Sequence, residues 1–179
     1  MIEKVRRVVM GEPAPGTSRF THVEEVEAVA AGEAMSCWLV WGWDALPTLP
    51  HDSVEPFVPR SYFPPPGGLR ISATRFGVDD RAAAEQERPD DTDEARIFTA
   101  EPCGLHEDRA RPGMHRTDSI DIGVVVAGEV TVEADDGSTV LLGPGDIYIQ
   151  NGALHRWHAN PDRPAHVVFV GVGTTRDGQ

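Results

Sequence analysis

The sequence predicts an all-β chain, on three observations. Glycine (18) and proline (15) are spread along the 179 residues rather than pooled in one linker. They cut the chain into short apolar segments, the pattern of an antiparallel sandwich or barrel. From residue 114 onward these segments alternate apolar and polar positions, the two-residue period of a strand with one buried face.

The N-terminal 77 residues read as strands and loops. "TSRFTHV" (17–23), "SCWLVWGW" (36–43) and "GLRISATRF" (68–76) carry the β-branched and aromatic residues that suit a pleated surface. "VEEVEAVAAGEA" between the first two reads as a loop or a short helical turn. "SYFPPPGG" is a proline-stiffened connection in which helix is excluded. Residues 78–112 are rich in Asp and Glu and poor in strand formers. They read as an acidic surface insertion, with at most one short helix near 93–100 after the cap-like "DDTD". A lid over the mouth of a barrel is the functional alternative. "HRTDSIDIGVVV" then reads as one strand, followed by "VTVEA", "STVLL", "IYIQ", "LHRWHA" and "AHVVFVGVG". Gly-containing turns separate most of them. Six strands in about 60 residues leave little room for helix.

Composition excludes several classes of function. A formal net charge of −13 argues against a phosphate-backbone ligand, so no nucleic-acid partner is expected. No apolar run approaches a membrane span, and no secretory signal is evident, so no membrane partner is expected either. Cys37 and Cys103 lie outside any CxxC pattern, which disfavours a disulfide framework or a cysteine zinc site and fits a reducing cytoplasm. There is no GxSxG elbow, no P-loop and no GxGxxG after a strand.

The informative stretch is "HRTDSID". Alternation along an extended chain puts His115, Thr117, Ser119 and Asp121 on one face, leading into a run of valines. This is either a solvated edge or a polar site in a dry interior. A buried cluster of this kind can form a hydrogen-bonded network, because unpaired polar groups in a barrel are costly.

The segment from Gly113 to Gly171 resembles the cupin superfamily, small antiparallel β-barrels of jelly-roll type. Two motifs carry the resemblance. In the first, His115 stands at the first histidine position, Thr117 at the second, Asp121 at the glutamate and Gly128 at the glycine. In the second, "GPGDIYIQNGALH" supplies Pro144, Gly145 and Asp146, then Gln150 where proline is common, Gly152, and the histidine His155. Ala159 stands where asparagine is usual, with Asn160 one residue later. The "GMHRTDSID" form is similar to a subgroup of small bacterial and fungal cupins that accompany secondary-metabolite pathways. The resemblance implies a single cupin domain over 1–179. Its N-terminal strands and loops (1–77) join the sheets, its acidic insertion or lid is 78–112, and its motif core is 113–173.

The resemblance also implies metal ligands His115, Asp121 and His155, a set that can hold Fe, Zn, Mn or Ni. Thr117 replaces the strongest nitrogen donor, so occupancy should fall. Asp121 beside an imidazole suits proton transfer with or without metal, which makes His115, Asp121 and Thr117 the candidate catalytic residues. Trp157, Ser119 and Tyr148 are the candidate substrate-binding residues, with core packing the plainer role for Trp157. The expected function is proton-transfer chemistry of the lyase, isomerase, cyclase or decarboxylase type on a small apolar carbonyl or phenolic metabolite. An Fe(II) dioxygenase and a non-catalytic ligand-binding barrel are the alternatives. Open sheet edges favour a homodimer, with Trp38, Trp41 and Trp43 as interface or core.

Overall fold

The computed structural model describes residues 4–31, 35–53, 55, 57–77, 97–98 and 104–177. The N-terminal strands are β1 (Val5–Ala14), β2 (Thr17–Val26), β3 (Ala30–Ala31), β4 (Met35–Trp43) and β5 (Leu69–Phe76). Then come β6 (Leu105–Glu107), β7 (His115–Thr117), β8 (Ser119–Ala127) and β9 (Val130–Ala134). The last four are β10 (Thr139–Leu142), β11 (Ile147–Asn151), β12 (His155–Ala159) and β13 (Ala165–Gly173). All pairings are antiparallel.

Two sheets form the body. A six-stranded sheet runs β11-β8-β13-β5-β4-β3, and a five-stranded sheet runs β10-β9-β12-β7-β6. The strands from 30–76 therefore share a sheet with the motif strands. Alternation along β5 buries Arg70, Ser72, Thr74 and Phe76 on the inner face. Register brings Val167 and Phe169 of β13 and Gly123 and Val125 of β8 alongside them. From the facing sheet come Val130, Val132, Leu142 and Trp157, and the apolar core closes where the two sets meet. Burying a residue of this size contributes about 1.5–3 kcal/mol, which is why the two-residue period decides which face turns inward.

The β1–β2 hairpin is a separate two-stranded ribbon on the outer face of the six-stranded sheet. Arg7 lies over the Trp41 ring, 5.4 Å from its centroid, and donates to the Val40 carbonyl, while His22 packs against the same ring. Trp38 and Trp41 are buried, and Trp43 is half-buried against Trp41.

Four expectations change. The segment at 23–34 is not helical where described: β2 continues to Val26 and Ala30–Ala31 pairs with β4. The N-terminal stretch, not expected as a strand, is β1, and Leu105–Glu107, expected within the insertion, is β6. Most of 78–103 lies outside the described residues, and with it the lid and all of the expected helix except Ile97 and Phe98. Ile97 and Phe98 are described and helical; Ile97 accepts a hydrogen bond from the Tyr62 amide and Phe98 packs on the Tyr62 ring.

The fourth change concerns the polar strand. "HRTDSIDIGVVV" is two strands in different sheets, broken at Asp118. The Asp118 amide donates to the Gly104 carbonyl, and its own carbonyl accepts from Thr174. These off-ladder bonds turn the chain from one sheet into the other. His115 and Thr117 thus project from the five-stranded sheet, Ser119 and Asp121 from the six-stranded one.

Candidate active site

The break at Asp118 folds the polar stretch onto itself. Thr117 Oγ1 donates to Asp121 Oδ2 at 2.9 Å, and Ser119 Oγ donates to Asp121 Oδ1 at 2.8 Å. Both hydroxyl residues are fully buried, at 2% and 1% exposure, while Asp121 is half-buried. Burial raises the Asp121 carboxyl above the usual range, against the lowering effect of the two hydroxyls and of His115.

Glycine makes room for this carboxylate. Gly171 of β13 is the register partner of Asp121, and a Cβ there would stand 2.9 Å from Oδ1. Pro64, from the proline-stiffened connection, is the next neighbour at 3.6 Å, so that connection closes the barrel at the Asp121 end. Neither Gly171 nor Pro64 was singled out in the sequence. The signal was present in the Gly-Val-Gly end of β13, opposite a charged residue.

His155 and His115 are register partners on β12 and β7, with ring centroids 4.4 Å apart. His155 is buried, and burial and then the neighbouring His115 push its pKa down to about 4, so it is a neutral imidazole near pH 7. Its Nδ1 lies 2.9 Å from the Gln150 amide nitrogen and 3.0 Å from the Ala153 carbonyl. Gln150 is itself 2% exposed. Sequence reading noted it as a departure from proline without seeing its contact with His155.

Tyr148 is opposite Gly123 in register and so faces inward. Its ring lies 6.4 Å from that of His155, and burial, then the Asp121 charge, pushes its phenol up to about 12. Trp157 stacks on Phe76 at 5.1 Å and meets Tyr148, His155 and Phe169 edge-on. It is the wall between the apolar core and the polar end. Histidines given no role in the sequence lie elsewhere: His158 pairs with Glu133 and His106 with Asp118.

A divalent metal at this end needs three donors aimed at one point. Among the described residues no three His, Cys, Asp or Glu side chains gather in that way. Both Asp121 oxygens already accept hydroxyl hydrogen bonds, and an amide nitrogen stands against His155 Nδ1. As arranged, the three side chains do not converge on one point, and the chemistry proposed rests on the side chains alone.

Comparison with known proteins agrees with the two motifs. A cupin-domain family model matches residues 105–171. The segment 105–171 is thus similar to a cupin domain. A phomopsin biosynthesis cluster protein of Diaporthe leptostromiformis is 47% identical over 51 residues, covering 26% of this chain and 27% of that protein. A cupin-domain-containing oxidoreductase of Neurospora crassa is 37% identical over 61 residues, covering 34% of this chain and 31% of that protein. The match thus spans under a third of the length of either relative. Among solved structures, an RmlC-like cupin from Shewanella frigidimarina is similar with a TM-score of 0.43 and 12% identity, over 85% of this chain and 87% of that one. The matched segment contains all the residues from His115 to His155 described above.

Proposed function

We propose that this chain is an enzyme that moves a proton on a small, largely apolar carbonyl or phenolic metabolite held in the barrel. The observation that carries this reading is Asp121. Its carboxylate is oriented by two buried hydroxyls and made more basic by burial, and it shares one end of the barrel with neutral His155 and with Tyr148. A carboxylate so placed can take a proton from a carbon next to a carbonyl and return it elsewhere on the substrate. The imidazole and phenol donate hydrogen bonds to the oxygen on which charge develops. Trp157 and Phe169 supply an apolar wall. The similarity to biosynthesis cluster proteins supports a role in a biosynthetic pathway.

The test is proton exchange. Wild-type protein in D2O should speed deuterium uptake at the acidic carbon of a cyclic 1,3-diketone or a hydroxyacetophenone. Asp121→Asn should cut that rate about 100-fold or more. Exchange as fast in the variant as in the wild type would sink the reading.

A second reading is favoured by the relatives named oxidoreductases. It is an Fe(II) dioxygenase in which His115, Asp121 and His155 rearrange to hold the metal. Stoichiometric iron in protein purified without added metal, with oxygen uptake on a phenol, would select it. Tight binding of these compounds without exchange or oxygen uptake would leave a binding protein. We further propose that the chain works as a homodimer, joined through the open outer face of its six-stranded sheet.

A further inference from the structure

Gln150 sits at the end of β11, and its side chain bridges into the five-stranded sheet. The Gly152 amide donates to Gln150 Oε1 at 2.6 Å, which fixes the carboxamide orientation, because a flipped amide would set NH2 against N–H. Nε2 then donates to the Ala153 carbonyl at 2.6 Å and lies 2.9 Å from His155 Nδ1. An amide nitrogen carries only hydrogens and cannot accept.

Two tautomers of His155 compete for this geometry. If Nδ1 carries the proton, it faces an amide N–H at 2.9 Å, donor against donor, and the second Gln150 hydrogen has no acceptor. The Ala153 carbonyl, 3.0 Å from Nδ1, has a second lone pair that could take this proton, but the Gln150 hydrogen facing Nδ1 would stay unmet. If Nδ1 carries the lone pair, both Gln150 hydrogens and the Gly152 amide are satisfied at once. Inside a protein an unmet donor costs about 1–3 kcal/mol, enough to decide a tautomer.

We infer that Gln150 is a positioning residue that holds neutral His155 with its proton on Nε2. His155 therefore offers a hydrogen-bond donor to an oxygen of the bound molecule, such as the enolate or phenolate form of a carbonyl or phenolic metabolite. It offers no lone pair for a metal. The substrate class in this statement rests on the proton-transfer reading above; the tautomer does not.

The experiment is a two-bond 1H–15N correlation spectrum of ligand-free, 15N-histidine-labelled protein at pH 7.5. The His155 signals are identified by their absence from the His155→Gln spectrum. The expected pattern is a pyrrole-type Nε2 and a pyridine-type Nδ1; the reverse pattern overturns the inference and needs no further variant. Gln150→Glu places an acceptor against Nδ1, so the pattern should reverse. Zn2+ affinity, read by competition with a chelating dye, should then rise about 10–100-fold. If Gln150→Glu folds and His155 keeps its proton on Nε2, Gln150 does not set the tautomer. Loss of deuterium exchange activity with the Nε2–H pattern intact would count against the enzyme reading and leave this one standing.

Discussion

At the residue scale, Asp121 and Gly171 are one unit. The carboxylate occupies the space a Cβ on Gly171 would need, at 2.9 Å from Oδ1. Gly171→Ala should push the carboxylate aside and cut its hydrogen bond from Ser119, with little cost to the fold because a side-chain end can move. The expected result is an unfolding temperature within a few degrees of wild type and proton-exchange activity down at least tenfold, since small misplacements of a reacting group are expensive. Equal activity in the two proteins would show that Asp121 does not act from this position. Alternation alone put His115, Thr117, Ser119 and Asp121 on one face, and His155 was named only through the resemblance to the cupin motifs. Gln150 and Gly171 act through contacts between sheets or between neighbouring strands of different motifs. No single-chain period reveals such contacts.

At the scale of elements, the corner between β7 and β8 is tied from outside. Arg176 donates through Nε to Asp118 Oδ1 at 3.0 Å, and through its terminal nitrogen to the carbonyls of Thr117 and Gly152. His106 meets the other Asp118 oxygen at 2.7 Å. Burial acts to raise the Asp118 carboxyl, but the hydrogen bonds from His106 and Arg176 outweigh it and hold it below the usual range. A carboxylate lowered in the folded state stabilises fully above its unfolded value of about 3.9. That stabilisation is lost as pH falls through the folded value. The wild-type unfolding temperature should therefore fall more steeply below about pH 4 than that of Asp118→Asn, measured by thermal melts from pH 7 to pH 2. Parallel curves would show that the tie contributes nothing. The break at this corner was hidden in the sequence because Asp118 fits the alternation of a continuous strand. Only the off-ladder partners Gly104 and Thr174, distant in sequence, interrupt it.

At the scale of the whole molecule, the all-β class and the strands from β8 to β13 were plain, since turn residues and alternation agree there. β2 was legible at 17–23, but β1 and its pairing into a hairpin were not, because the face of β1 is neither cleanly apolar nor cleanly polar. The hairpin covers the outer face of β4 and leaves that of β13, β8 and β11 open. Ile120, Ile122, Val126, Ile147, Ile149 and Val172 are exposed there, and Val8, Met10, Phe20 and Val23 are exposed on the hairpin. The six sheet residues make an exposed apolar row of the kind that marks an interaction surface. The occupant proposed is a second copy of the chain, since an apolar face of this kind can cover itself across a two-fold axis. Sedimentation should give a dimer for the wild type and a folded monomer for the Ile122→Lys, Ile149→Lys double variant. A wild type that stays monomeric at about 100 μM would rule the dimer out at working concentrations.

The sheet switch at Asp118 has a mechanical meaning as well. Two hydrogen bonds of the site, Thr117 to Asp121 and Gln150 to His155, each begin on one sheet and end on the other. They act as two staples across the mouth of a pair of jaws. The distance from carboxylate to imidazole is then a gauge of how far the jaws stand apart. A molecule that wedges the sheets open at this end must strain or break a staple, and so detunes the groups it has come to meet. One that slides in along the strands leaves both staples intact.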